Sequence, residues 1–296
     1  MRAARFHEIG EPDVLRIEEV AMPEPGPYQV RVAVRAAGVN PADWKKRRGM
    51  FGDPPPQTVG AEGSGTIDIL GTGVTRFQPG DEVFGLLEGA TAEYALADPE
   101  GLAKLPTGLS FEDAAGVAVG ALTAFQALFD VAHLQQGERV LIHAAAGGVG
   151  SFAVQLAHSA GAHVIGTASA ENAPFLRELG ADEAVDYRTE PFEDQIEPVD
   201  VVLDTIGGDT TERSLKVLKP GGRLVSLVRP PENGRWTFHS MSPQPGQLDR
   251  IASLLTRGEL RAITQKTFAL EEIVEAHRES ERGRTRGKLI VKVAPE

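Results

Sequence analysis

Apolar and polar residues alternate in two different ways along this chain. From Met1 to Pro106 the runs are short and repeat with period two. Val30-Arg31-Val32-Ala33-Val34, parts of Gly65-Thr66-Ile67-Asp68-Ile69-Leu70 and Glu82-Val83-Phe84 are examples, the pattern of strands with one buried face. Pro23, Pro25, Pro27, Pro54, Pro55, Pro56 and Pro79 fall between these runs, where a missing N–H donor does no harm. The first stretch therefore predicts a mostly β domain. Ser110 to Val131 changes character: Ser110 is placed to cap a helix with Asp113 three residues on, and Ala114 to Phe129 is rich in helix formers. Gly120 within it predicts two helical pieces and a domain junction nearby.

Beyond that point strands alternate with helices. Val140-Leu141-Ile142 leads through small residues to Gly147-Gly148-Val149-Gly150, and then into a helical pattern with Phe152, Val154, Leu156 and Ala157. A second apolar run follows at His163-Val164-Ile165. This is a βαβ unit with a glycine turn, a device that lets backbone approach a pyrophosphate while the first N–H groups of the helix face the anion. The spacing, Ala144-x-x-Gly147-x-x-Gly150, is a variant of the three-glycine fingerprint; the bland reading is an ordinary strand–turn–helix. Residues 174–179 predict a helix stopped by Gly180, 183–186 and 199–203 two strands, and 210–218 a helix. A Pro220-Gly221 turn then precedes a strand over 222–228. Strands alternating with helices predict a parallel sheet with ligands beyond its carboxyl ends. Gln247 to Leu255 predicts a helix ending near Gly258. The tail from Ile263, with a last strand over 288–293, has the texture of the first domain and is expected to return to it.

Composition narrows the function classes. The 296 residues suggest two domains, and 41% hydrophobic with 24% charged residues is ordinary for a globular protein. There is no cysteine, which removes disulfides, thiolate metal sites and cysteine nucleophiles. A net charge of −12 argues against a nucleic-acid surface; the cluster Lys45-Lys46-Arg47-Arg48 reads as a solvated helix end. No run approaches a membrane span, and the N-terminus lacks the apolar core of a signal peptide, so a cytoplasmic protein is expected.

Several pieces in a fixed order carry a resemblance. They are Gly38-Val39-Asn40-Pro41-Ala42-Asp43-Trp44-Lys45, Gly60-Ala61-Glu62-Gly63-Ser64-Gly65, Gly80-Asp81-Glu82-Val83, Gly120-Ala121-Leu122-Thr123-Ala124-Phe125, Ala144 to Gly150, Leu179-Gly180-Ala181-Asp182 with Asp186-Tyr187, and Gly287-Lys288. Together they resemble the zinc-lacking branch of the medium-chain dehydrogenase/reductase superfamily, the NADPH:quinone reductase-like proteins. The resemblance implies an α/β protein: a GroES-like, partly open β-barrel domain over 1–115 and 263–296, and a Rossmann domain with a doubly wound parallel sheet over 116–262. The superfamily's zinc enzymes carry a cysteine where this chain has Asn40 and a histidine where it has Ala61. Two such positions cannot coordinate zinc strongly, and the cysteine-rich structural lobe is reduced to Leu87-Glu88-Gly89-Ala90-Thr91. No metal is expected, and His143 and His158 read as structural.

The second strand of the βαβ unit ends in Gly166-Thr167-Ala168-Ser169-Ala170, without the Asp or Glu that holds the ribose hydroxyls of NAD. That permits NADPH in preference to NADH, with Ser169 donating to the 2′-phosphate, although Glu171 stands where the resembling family commonly has a basic residue. Tyr187 and Arg188 are candidates for the same ribose end, the alternative being a surface strand terminus. The resemblance brings Asn40 and Thr123 near the nicotinamide, adds Lys288 to the cofactor contacts alongside Ala144, Gly147, Gly148, Val149 and Gly150, and has Leu224 and Val225 presenting backbone groups to the nicotinamide amide. Asn40 offers donors and an acceptor without charge; its bland reading is a turn residue before Pro41. Asp43 and Glu62 read as internal caps or ion pairs with Lys45 or Arg47 rather than as acids or bases.

Hydride transfer needs orientation and exclusion of water more than protein chemistry. The expected activity is reduction of a quinone or an activated enone, with Asn40 and Thr123 as the catalytic candidates. The rivals are an enoyl or alkenal reductase, which adds a proton at the α-carbon, and a catalytically weak NADPH-binding sensor. A homodimer paired through Arg235-Trp236-Thr237-Phe238-His239 is expected.

Overall fold

A computed structural model describes residues 1–228, 230 and 234–294. The strands run, in chain order, β1 (Arg2–Phe6), β2 (Arg16–Glu19), β3 (Val30–Val39), β4 (Gln57–Thr58), β5 (Glu62–Leu70), β6 (Glu82–Leu86), β7 (Tyr94–Ala97), β8 (Leu102–Lys104), β9 (Arg139–Ile142), β10 (His163–Ala168), β11 (Glu183–Asp186), β12 (Val199–Asp204), β13 (Leu218–Ser226), β14 (Thr237–Phe238), β15 (Thr264–Ala269) and β16 (Lys288–Lys292). The helices are α1 (Pro41–Arg47), α2 (Phe111–Ala115), α3 (Ala118–Phe125), α4 (Gly150–Ser159), α5 (Ala173–Glu178), α6 (Asp209–Ser214), α7 (Gln247–Thr256) and α8 (Ile273–Glu281). Among the described residues no helix is long and apolar enough to cross a membrane.

One compact unit comprises Met1–Val119, Pro243–Gly258 and Ala262–Glu296; the other comprises Gly120–Ser242 and Glu259–Arg261. The first unit holds a seven-stranded sheet in the order β15-β16-β3-β5-β6-β8, with β7 paired to β3, and a three-stranded sheet β2-β1-β4. Val30, Val32 and Val34 alternate into its core with Ile67, Val83 and Leu289, as the period-two pattern predicts. The C-terminal strand pairs antiparallel with β3, Leu289 opposite Val39, so the tail does return to this unit. Residues 243–258, expected with the other domain, cluster here too. The reason is packing: α7 lies on β8, buries Leu248 and Ile251, and its Asp249 takes a 2.7 Å hydrogen bond from Arg76.

The second unit is a six-stranded parallel sheet in the order β11-β10-β9-β12-β13-β14. Its core is Leu141, Ile165, Val185, Val202, Leu224 and Trp236. Pro220 and Gly221 form a bulge inside β13 rather than a turn before it, because the pairing with β12 jumps from Val199–Leu218 to Val201–Arg223. The Ser110 hydroxyl accepts from the Asp113 amide at 3.0 Å, capping α2 as expected. The break between the two helical pieces falls at Gly116, which ends α2, and not at Gly120, which lies within α3.

Candidate active site

In the second unit the glycine turn joins β9 to α4. Ala144 takes a left-handed conformation, φ 46°, uncommon for a residue with a side chain. It is pinned there because its N–H donates to the Thr167 hydroxyl at 3.3 Å and its carbonyl accepts from the Gly147 amide at 2.9 Å. A Cβ on Gly150 would stand 2.3 Å from the Ala144 carbonyl oxygen and 2.7 Å from the Ala145 Cα, so only glycine fits. A Cβ on Gly120 would meet the Gly148 carbonyl oxygen at 2.7 Å, which is the local need for that glycine in α3. Gly147 differs: its missing Cβ would approach only the Ala144 oxygen, at 3.2 Å. Val149 is the N-cap of α4 and no side chain caps the helix. The Ser151 amide donates back to the Gly147 carbonyl at 2.9 Å, and the positive dipole end of the helix is left to face an anion.

Around this turn polar side chains are buried and satisfied. His143 contacts the Ser214 and Thr167 hydroxyls at 2.8 and 3.2 Å; burial pushes its pKa down to about 4, so the ring is neutral at pH 7. Asp204, at the end of β12, accepts from the Ile206 and Gly207 amides at 2.9 Å and from the Thr211 and Ser226 hydroxyls. It fixes the loop after β12, a role that sequence reasoning missed although an Asp followed by Thr-Ile-Gly-Gly is a recognisable turn signal. Ser169 is buried at the end of β10 and its hydroxyl accepts from the Asn172 amide group at 3.0 Å. Glu171, Tyr187 and Arg188 are exposed, with Arg188 3.5 Å from Glu171. Hydrogen bonding from Ser169, and then Arg188 nearby, holds the Glu171 carboxyl below its usual pKa. Thr123 is buried on α3, and Leu224 and Val225 are interior residues of β13 whose side chains belong to the core.

The first unit contributes a different kind of site. Asn40 ends β3 and N-caps α1 in a capping box: its N–H donates to Asp43 Oδ2 at 2.7 Å. Its side-chain Nδ2 donates to Glu62 Oε1 at 2.8 Å, and its Oδ1 accepts from the Lys288 ammonium. Lys288 also donates to Glu62 Oε1 at 2.7 Å and to the Val39 carbonyl at 3.3 Å, while Glu62 Oε2 accepts from the Val119 amide at 2.7 Å. Glu62 is fully buried and Lys288 nearly so, at 5% exposure. A Cβ on Gly38 would lie 2.5 Å from Glu62 Oε1, so the carboxylate needs that glycine. Burial raises the Asp43 pKa to about 6 against the opposing effects of the Asn40 amide and Lys288.

These contacts revise two expectations and give Lys288 its partners. Glu62 pairs with Lys288, not with Lys45 or Arg47. The Lys288 ammonium, expected among the cofactor contacts, donates to Asn40, Glu62 and the Val39 carbonyl within its own unit. Arg47 is no part of a solvated helix end: it is fully buried, donating to Glu281 and the Gly10 carbonyl. The pairing of Glu62 with Lys288 spans 226 positions, and no local pattern could have announced it.

Comparison with known proteins rests on two domain matches and full-length likeness. Residues 26–107 match an alcohol dehydrogenase GroES-like domain and 179–291 a zinc-binding dehydrogenase domain. A quinone oxidoreductase of Pseudomonas aeruginosa is 37% identical over 97% of this chain and 98% of its own length. The chain belongs to the medium-chain dehydrogenase/reductase superfamily. Among solved structures of this superfamily, the quinone oxidoreductase from Coxiella burnetii superposes with a TM-score of 0.93 at 35% identity, covering 99% of both chains. The Escherichia coli quinone oxidoreductase complexed with NADPH gives 0.88 at 28%, covering 99% of this chain and all of that one. The spectinabilin polyketide synthase protein NorB of Streptomyces orinoci is 40% identical over 91% of this chain, which spans only 13% of NorB.

Two groups implied by membership of this superfamily, a nicotinamide dinucleotide and a catalytic zinc, can be tested against the residues. A dinucleotide fits: the uncapped α4, the open face of Gly147 and the acid-free end of β10 suit a pyrophosphate and its ribose. A catalytic zinc does not. Ala61 has no donor, and the Asn40 oxygen and the Glu62 carboxylate already hold an ammonium. Among the described residues no three His, Asp or Glu side chains converge on one point.

Proposed function

We propose that this protein is an NADPH-dependent, metal-independent reductase acting on a quinone or a related activated carbonyl. The observation that carries this reading is the turn Ala144–Gly150, strained at Ala144 and open over Gly147, beside a strand end, Gly166–Ser169, without a carboxylate. NADPH, when bound, supplies the hydride. The chain's residues supply placement: the N-terminal dipole end of α4 faces a pyrophosphate, and Gly147 lets it approach. Ser169 and Arg188 donate to a 2′-phosphate, with Tyr187 beside them, and Thr123 is retained as a contact at the nicotinamide end. Asn40 donates its remaining N–H to the carbonyl oxygen, where charge develops during reduction. No side chain is required as a general acid, since water can protonate a hydroquinone oxyanion. Purified protein should oxidise NADPH with at least one of a panel of quinones and enones; no oxidation across the panel rejects the reading.

A second reading, an enoyl reductase, draws on the likeness to the solved CurK enoyl reductase, with a TM-score of 0.90 at 32% identity over 98% of both chains. Product analysis separates the two, hydroquinone from a quinone against saturated ketone from an enone. A homodimer is part of the proposal, because β14 is the exposed edge of the parallel sheet, with Phe238 38% accessible; a monomeric mass by light scattering at micromolar concentration rejects it. The proposed location is the cytoplasm, where reduced nicotinamide is renewed between turnovers, and cell fractionation checks it.

A further inference from the structure

Asn40 is held at three points, and each holding group comes from a different part of the first unit. Asp43 fixes its backbone from α1, Glu62 takes one Nδ2 hydrogen from β5, and Lys288 occupies Oδ1 from β16. An amide flip would set Oδ1 against the Glu62 carboxylate and Nδ2 against an ammonium, two repulsive contacts in place of two attractive ones, so charge fixes the orientation. Among the described residues only the second Nδ2 hydrogen lacks an acceptor. Lys288 and Glu62 touch nothing else that chemistry could use: every donor of the ammonium is taken, and Glu62 Oε2 is closed by the Val119 amide.

We propose that Lys288 and Glu62 are positioning residues for Asn40, a buried ion pair that turns its amide so that one Nδ2 hydrogen alone is offered to a substrate carbonyl oxygen. The direction of the offered hydrogen deepens the reductase reading above and rests on it. The clamp itself does not, and can be observed without turnover. Buried ion pairs are uncertain sources of stability but good sources of unique geometry, and a donor held before the reaction needs no reorganisation as charge develops on oxygen.

The chain has three asparagines, Asn40, Asn172 and Asn233, so selective 15N-asparagine labelling gives three side-chain amide pairs, with that of Asn40 assigned by its loss in N40A. In the unaltered protein the Asn40 pair should show two well-separated proton resonances in slow exchange with water. In K288M they should move toward the position of a free amide, and K288R should restore much of the separation. E62Q/K288M, which removes both charges together and leaves no lone buried carboxylate, secures a folded variant and should also release the amide. Adding a quinone should shift one of the two Asn40 proton resonances selectively. If the enzyme turns over, K288M should lower kcat about tenfold or more, part of the roughly hundredfold or greater loss seen when a single oxyanion donor is removed outright, with NADPH affinity changed less than about threefold. Unchanged Asn40 resonances in both variants overturn the clamp. A parallel loss of NADPH affinity and kcat makes Lys288 a cofactor contact and overturns the positioning role, and a quinone that moves neither proton overturns the offered N–H. Failure of the reductase reading shows separately, as absence of NADPH oxidation by the unaltered protein.

Discussion

The glycine turn and the Asn40 cluster solve opposite problems. The turn is built from backbone and from the absence of side chains, all within Ala144–Gly150, and its one strained residue is held by neighbours a single strand away. The cluster is built from side-chain charge, gathered from residues 40, 43, 62 and 288. A site for an anion can be made by withholding atoms, whereas a site that orders one amide has to bring charges in and bury them.

Four sets of changes would break or sharpen that contrast. The largest effect is expected in the charged cluster: K288M leaves Glu62 buried and unpaired, which should cost about 3–5 kcal/mol in urea unfolding, with more than half recovered in E62Q/K288M. Next, the two regions should respond to acid with opposite sign. His143, beside the turn, titrates at about 4 folded against 6.5 unfolded. Its contribution is complete above pH 6.5 and is lost as pH falls toward 4, on the order of 3 kcal/mol. Asp43 titrates at about 6 folded against 3.8, so it binds its proton more tightly when folded and gives back a similar amount over nearly the same range. H143Q should therefore flatten the acid loss and D43N should steepen it, as read from stability at pH 7, 5.5 and 4.5.

Smaller effects separate two glycines within the turn. G150A should destabilise by about 1–3 kcal/mol, because its Cβ meets backbone. G147A should leave the melting temperature nearly unchanged while weakening NADPH binding, and calorimetric titration reads both. The smallest effect is at the exposed ribose end. E171Q removes a carboxylate from the neighbourhood of Ser169 and Arg188, and should raise the NADPH to NADH affinity ratio roughly threefold, the scale of a surface charge contact.

The same contrast explains what the sequence disclosed. The βαβ unit was readable because its hydrophobic period, glycines and strand end lie within thirty consecutive residues, and the alternation Val30–Val34 named its buried face directly. The helix break was misplaced because Gly120 looked like a breaker, while its true constraint is the close approach of the Gly148 carbonyl. The basic neighbours of Arg47 predict a solvated side chain, since nothing local reveals its partners, Glu281 and the Gly10 carbonyl. Asn40, Glu62 and Lys288 were each singled out through family resemblance, yet their mutual contact depends on β16 lying against β3, a fact of tertiary pairing and not of pattern.

That pairing also sets an order of events at the ribosome. The first unit is assembled from three stretches of chain and its sheet lacks β16 until residues 288–292 are made, whereas nearly all of the second unit is a continuous run that can fold as soon as it emerges. Until Lys288 arrives, Glu62 has no cation for its buried carboxylate and Asn40 has nothing on its oxygen. The first unit is thus begun before the second and completed after it, and a chain cut before Lys288 should present a folded second unit while β3 of the first still has an open edge for chaperones to recognise.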